Sequence, residues 1–294
     1  IQIFLRKYFA CATINRAILD DVVQLCTNYE LQLLLVNNVI NSPVWKAFDA
    51  KPQCHIKILK YLIEQLEERK VEICSELYDR LIQLLTTQNL EFCHRIYLNR
   101  NFDKYIVIKE KVQQLSNGTT GLSCWQASCH LAHYLLGLGA ELLDGRDVIE
   151  LGAGCGLAGI AAAASARAHS VTLTDCNDEV LELIHSNFNN NFTEVIYLFD
   201  LSFIYVMFDP ELAKPLAFII RDILARSADI DAECVLAAPF IHLEQNHLAV
   251  TETFLFDDDC FTFSSGRVAR DVSNFLFSSP LALPTVFHRI KYKE

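Results

Sequence analysis

Residues 147–175 read DVIELGAGCGLAGIAAAASARAHSVTLTD, and their pattern decides the fold class. Asp147 to Leu151 is a short apolar run suited to a buried strand. Gly152-Ala153-Gly154-Cys155-Gly156 interrupts it, and an Ala-rich helical stretch from Leu157 to Ala168 follows at once. Val171 to Thr174 is a second strand-like run, ending at Asp175. Strand, turn, helix and strand in such quick succession predict parallel strands covered by helices. The glycines permit the turn and let a ligand lie against bare backbone. Asp175 then stands at the tip of the neighbouring strand, where a carboxylate can accept ribose hydroxyls.

Two nucleotide readings of this turn compete. Gly154-x-Gly156-x-x-Gly159 fits the dinucleotide spacing, with Asp175 as the ribose acid. Glu150 through Gly156 fits the E-x-G-x-G-x-G turn of S-adenosylmethionine-dependent methyltransferases. Glu150 favours the second, because an acid at the tip of the first strand suits a cationic amino-acid moiety and repels a pyrophosphate. An ordinary βα turn with chance glycines stays open from these residues alone.

Outward from the turn, strands and helices alternate, which predicts a parallel sheet covered on both faces. Ser128 to Leu138 and Asp178 to Phe188 read as helices, and 104–112 (KYIVIKEKV) as a strand. Phe261-Thr262-Phe263 and Val286 to Tyr292 read as late strands. The first hundred residues are helical in pattern. Ile14, Ile18, Val22 and Leu25 share one face at helical spacing, as do Leu31, Leu34 and Leu35, then Ile56, Leu59, Ile63 and Leu66, and last Leu77, Leu81, Leu84 and Leu85. Asn41-Ser42-Pro43 breaks the run. The expected division is a helical region over 1–100 and an α/β, Rossmann-like domain over 101–294.

Composition narrows the classes. Nine of the ten Gly lie between Gly118 and Gly159, so the unusual backbone is concentrated there. With 25 Lys+Arg against 36 Asp+Glu the net charge is −11, which argues against a nucleic-acid partner. The 11 Cys form no C-x-x-C pair, which predicts no zinc ribbon and a reducing compartment, the cytoplasm. No apolar run approaches a membrane span, and Arg6 and Lys7 interrupt IQIFLRKYFACATI as a signal peptide. The chain opens on Ile1 and its single Met is Met207, so the sequence reads as a fragment or as lacking its true start. His130 and His133 have metal-ligand spacing but no evident third ligand, so no metal is expected.

Gly118-Thr119-Thr120-Gly121-Leu122-Ser123-Cys124-Trp125, with Ala127, Leu131 and Ala132, resembles the G-T-T-G-L-x-x-W-x-A-x-x-L-A lead-in of seven-β-strand protein-lysine methyltransferases. Within that group the chain most resembles the FAM86 family, the eukaryotic elongation factor 2 lysine methyltransferases. The turn, the Thr174-Asp175-Cys176 ending, the helical N-terminal region and the closing Phe287 to Lys291 agree with it. The resemblance implies methyl transfer from S-adenosylmethionine to a lysine of a protein substrate, elongation factor 2, and a place in a larger protein complex. It also implies that Trp125 borders the cofactor, that Gly152, Ala153 and Gly154 lie at its amino-acid end beside Glu150 and Gly156, and that Asp175 holds the ribose. An in-line displacement at a sulfonium methyl needs a neutral amine and excluded water, so no catalytic base is named.

The likeness loosens after Asn187. The family pattern has a third strand, a crossover and a fourth strand ending in an acid near the reaction centre. Here Val195 to Leu201 and Phe203 to Pro210 occupy that place, with Tyr205 where the acid is expected. A βαβ unit takes about 30 residues or more, and Asn187 to Asp209 is shorter than that. The shortened middle fits a lost segment, and fits equally a catalytically inactive relative that binds a protein partner through its helical region.

Overall fold

The computed structural model describes residues 1–87, 90–113, 119–192, 213–227, 229, 231–237, 246–257, 259–278 and 284–293. The expectations for Gly118 and for 195–210 lie outside the described residues.

Six α-helices open the described chain: α1 (Gln2–Phe9), α2 (Arg16–Cys26), α3 (Tyr29–Leu35), α4 (Val44–Ala47), α5 (Pro52–Glu68) and α6 (Ser75–Thr86), with a π-helical turn over Val36–Ile40 after α3. Side chains of Asn15 and Asn28 accept first-turn amides and start α2 and α3. Val22, Leu59, Ile63, Leu66 and Leu77 fill their common core, as the helical spacing predicted, together with Phe4, Tyr8 and Leu62. Leu31, Leu34 and Leu85 are exposed instead, so those stripes are wider than the face the core covers.

Strands β1 (Phe92–Leu98) and β2 (Tyr105–Lys111) follow as an antiparallel pair. The helical expectation for 1–100 passed over β1, because both of its faces are covered and no polar alternation marks it. Alternation along this pair serves two cores. Ile96 and Val107 pack into the helical core, whereas Tyr97, Ile106 and Ile108 pack with Leu157, Ile160, Leu173 and Ile184. The hairpin therefore spans residue 100 and is shared by the layers on either side.

Next come α7 (Gln126–Leu136), β3 (Asp147–Leu151), α8 (Leu157–Ala164), β4 (Ser170–Thr174) and α9 (Asp178–Asn191). Strands β3 and β4 are parallel, with Glu150 opposite Leu173 and Leu151 opposite Thr174. This is the predicted βαβ unit within a residue or two at most element ends.

The remainder is α10 (Ala213–Arg226), β5 (Cys234–Leu236), β6 (Leu248–Asp257), β7 (Cys260–Phe263), β8 (Val268–Arg270) and β9 (Thr285–Tyr292). These strands form one sheet in the order β5-β9-β6-β7-β8, antiparallel throughout. The expectation of a parallel sheet is corrected here: among the strands of the described residues only β3 and β4 pair in parallel. Links as short as those from β6 to β7 and from β7 to β8 allow only antiparallel neighbours, and the last strand inserts between β5 and β6. A register shift between Val250 and Glu252 turns β6 over. Leu248 and Val250 pack with α10, whereas Phe254 and Phe256 join Tyr134 of α7. Leu151, at the end of β3, packs against the α10 layer, so the two sheets adjoin. The overall α/β architecture with N-terminal helices is the one expected.

Candidate cofactor site

The β3–β4 register brings Gly152 and Asp175 out at the same end of two adjacent strands. Gly152, Gly154 and Gly156 have φ of 66°, 54° and 80°, so alternate residues of the turn are left-handed. A side chain at such a position costs about 1–2 kcal/mol, and the glycines avoid that cost. The Ala153 N–H donates to the Thr174 carbonyl at 2.9 Å, and Thr174 Oγ1 donates to the Glu150 carbonyl at 2.9 Å. The turn is thus tied across both strands.

Asp175 is buried, and its carboxylate gathers three backbone amides. Oδ2 accepts from Gly154 at 3.1 Å, and Oδ1 accepts from Cys176 at 2.8 Å and Asn177 at 3.3 Å. Burial raises its pKa, and the three amides oppose the rise. A carboxylate has about four lone-pair sites, so the present geometry leaves room for one further donor.

Glu150 is partly buried under the first turn of α8, where Oε2 accepts the Gly159 N–H at 2.8 Å. Burial is the main cause of its carboxyl rising to about 7; the Gly159 amide opposes this and the Asp175 charge adds to it. The backbone at Gly159 is itself pressed against Leu173 and the Glu150 carboxyl, which accounts for the third glycine of the spacing.

The lead-in packs directly on this turn. Cys155 Sγ lies 3.6 Å from the Gly121 carbonyl, and a Cβ on Gly154 would lie 3.2 Å from the same oxygen. Thr119 Oγ1 accepts the Gly121 N–H at 3.1 Å, and the half-buried Trp125 donates its indole N–H to the Thr120 carbonyl at 2.8 Å. Trp125 thereby begins α7 with a fixed ring. The structure gathers Trp125, Gly152, Ala153, Gly154, Gly156 and Asp175 around one end of the β3–β4 pair, and turns Glu150 toward α8.

Two residues that sequence reasoning passed over hold this assembly. Glu110, on β2, is 2% exposed; Oε1 bonds Arg95 Nε at 2.7 Å and Oε2 accepts the Cys124 N–H at 2.8 Å. Flanked by Lys109 and Lys111 at the charged end of β2, it gave no signal that set it apart from a solvated side chain. Asn187, on α9, is fully buried and donates to the Cys155 carbonyl at 2.9 Å. Nothing in its sequence context distinguishes it from a solvated helix position.

His130 and His133 do other work. His130 Nδ1 meets Thr285 Oγ1 at 2.7 Å, while His133 pairs with Asp271 and accepts the Phe277 N–H at 3.0 Å on Nε2. Both fasten α7 to the C-terminal segment. Among the described residues no group of three or more His, Cys, Asp or Glu is placed to hold a metal, and no helix is long and apolar enough to cross a membrane. A cavity of about 520 Å³ lined by Tyr105, Leu136, Ala164, Arg167 and Phe275 lies at the C-terminal end of α8, away from the turn.

Residues 102–201 match a family model described as lysine methyltransferase. The chain is 30% identical over 169 residues to the protein-lysine N-methyltransferase EEF2KMT of Bos taurus, covering 58% of this chain and 49% of that one. It is 26% identical over 190 residues to FAM86B1 of Homo sapiens, covering 64% and 57%. A shorter stretch of 72 residues is 39% identical to the calmodulin-lysine N-methyltransferase of Arabidopsis thaliana, covering 24% of each. The chain therefore spans about half the length of the EEF2KMT and FAM86B1 chains it matches. The kinship expected from the Gly118–Trp125 lead-in and the Glu150–Gly156 turn is borne out by these homologues.

Proposed function

We propose that the chain is a protein-lysine N-methyltransferase that takes its methyl group from S-adenosylmethionine and acts in the cytoplasm on elongation factor 2. The observation that carries this reading is the left-handed glycine turn bound to Asp175 and packed under the Gly121–Trp125 lead-in. The residues suit the group. Gly152 and Gly154 keep some backbone exposed at the sheet end, and Asp175 retains about one acceptor site for a ribose hydroxyl. A second hydroxyl can replace the long 3.3 Å bond from Asn177.

In this reading the backbone of Gly152, Ala153 and Gly154 receives the amino-acid end, Gly156 starts the covering helix, and Trp125 borders the site. Glu150 lies beneath α8, and a cationic amine bound beside it would draw its carboxyl toward the ionised form. The cofactor supplies a methyl carbon already activated by its sulfonium. The protein's task is to hold a substrate lysine in line and to keep water out; desolvation favours the neutral amine that the displacement requires. The division into a helical region over 1–100 and a methyltransferase domain over 101–294 is part of the proposal. The helical layer, joined to the site through β1 and β2, is where a protein substrate gains extra contact. The relatives named for elongation factor 2 favour that substrate; the short match to a calmodulin-lysine enzyme makes calmodulin the control.

Calorimetric titration with S-adenosylhomocysteine, followed by labelled methyl transfer to purified elongation factor 2, tests the reading. Binding and transfer are expected. Absence of binding overturns the enzyme assignment, and binding without transfer to either protein favours the inactive, partner-binding relative.

A further inference from the structure

Asn187 and Asn191 stand one turn apart on α9, and both reach the edge of β2 that β1 leaves uncovered. Asn187 Oδ1 accepts the Lys109 N–H at 2.6 Å, and its Nδ2 donates to the Lys109 carbonyl at 2.9 Å. Asn191 repeats the pattern on Val107, at 2.8 and 2.7 Å. The two side-chain amides take the place of a neighbouring strand and satisfy backbone groups that burial would otherwise orphan.

Each Nδ2 has a second proton, and here the two residues part. Asn191 spends it on the Asn187 carbonyl at 2.7 Å, within its own helix. Asn187 gives it to the Cys155 carbonyl at 2.9 Å, inside the glycine turn. Cys155 sits between Gly154 and Gly156, whose φ angles of 54° and 80° make the backbone there the most permissive in the site. Within the turn the Gly156 N–H donates to the Ala153 carbonyl at 2.8 Å, and the rest of the hold on Cys155 comes from outside it. Its thiol leans on the Gly121 carbonyl, and its own carbonyl is held by Asn187.

We infer that Asn187 is a positioning residue for the cofactor turn, fixing the Cys155 carbonyl to the β2 edge and so, together with the Thr174 and Asp175 bonds to Ala153 and Gly154, setting the course of the Gly152–Gly156 backbone. The inference rests on the proposed reading of that turn as the S-adenosylmethionine site. Asn191 is a built-in control, since it covers the same edge without touching the turn.

Asn187→Asp and Asn191→Asp are matched perturbations. Each keeps the side-chain shape, and each sets a carboxylate against two carbonyl oxygens. Thermal melting without ligand should show losses of similar size. S-adenosylhomocysteine affinity should fall by about tenfold or more in Asn187→Asp, the scale of one buried hydrogen bond, and by less than about threefold in Asn191→Asp, whose bond to Asn187 reaches the main-chain carbonyl and not the side chain that holds the turn. Equal losses of affinity in the two variants, or none in either, overturn the inference. Should Asn187→Asp fail to fold, amide exchange in the unsubstituted chain decides. Coupling is reciprocal, so the ligand should slow exchange at Lys109 and leave Val107 unchanged; equal slowing at both, or at neither, overturns it. If the unsubstituted chain does not bind the ligand, the functional reading fails and this inference falls with it.

Discussion

Replacing Gly159 by Ala sets two physical effects against each other. Gly159 lies in the first turn of α8, where helix propensity alone favours Ala by about 1 kcal/mol. Packing opposes it. A Cβ at this position overlaps Leu173 Cδ2 outright, sits 2.7 Å from Glu150 Oε2 and lies 3.1 Å from Leu173 Cγ. Leu173 is 4% exposed and embedded among Leu157, Ile160 and Ile184, so it has little room to swing aside. Overpacking of this kind costs about 1–3 kcal/mol. Moving the Glu150 carboxyl strains or breaks its bond to the Gly159 amide, worth about 1 kcal/mol more. The balance is a destabilisation of about 1–3 kcal/mol, read as a lower urea midpoint at unchanged slope. A double-mutant cycle with Leu173→Ala isolates the cause, because removing the obstructing side chain should make the pair less harmful than the sum by about 1 kcal/mol or more. A Gly159→Ala variant as stable as the parent, or more so, would refute the close approach of α8 to β4.

Three further outcomes follow from the same geometry. Asp175→Ala removes the acceptor of three backbone amides, and S-adenosylhomocysteine affinity should fall by at least about 1.5 kcal/mol by calorimetry; an unchanged affinity would mean that the ribose is held elsewhere. Glu150, with its folded pKa raised to about 7, holds a proton more tightly folded than unfolded. Its contribution is therefore full below the ordinary Glu range and is lost as pH rises toward about 7. Glu150→Gln, which keeps an oxygen for the Gly159 amide, should show a smaller drop in melting temperature between pH 5 and pH 8 (about the limits of that window), and an equal drop would count against the shift. Glu110→Ala leaves the Arg95 guanidinium buried without its carboxylate and the Cys124 amide without an acceptor. Urea unfolding should register a loss of about 3–5 kcal/mol, and a loss under about 1 kcal/mol would show that the site relaxes around the charge.

The βαβ unit was legible because its signals are local. Glycine spacing, an apolar run before it and a β-branched run after it fixed β3, α8 and β4, and Asp175 fell at the strand end by position alone. The lead-in was legible only through family likeness; nothing in Thr119 to Trp125 by itself says that Gly121 lies on Cys155. Glu110 and Asn187 escaped for a different reason. Their partners, Cys124, Lys109 and Cys155, are distant in sequence, and a polar residue that satisfies a backbone group far along the chain resembles any solvated one. The antiparallel sheet was misread as parallel because the strand–helix alternation seen from α7 to α9 was extended to the end of the chain, while the short links from β6 to β8 argued the opposite.

Heredity acts on the β1–β2 hairpin as a whole. Ile96 and Val107 belong to one interior, Tyr97 and Ile106 to the other, and the buried Arg95 guanidinium bonds the carbonyl of Ala10, a residue just after α1 that packs into the second. A descendant that discarded its leading helices would expose one oily side of a ribbon whose opposite side still shores up the βαβ unit. The N-terminal layer is thus no detachable accessory, and substitutions tolerated in either interior are filtered by the demands of both.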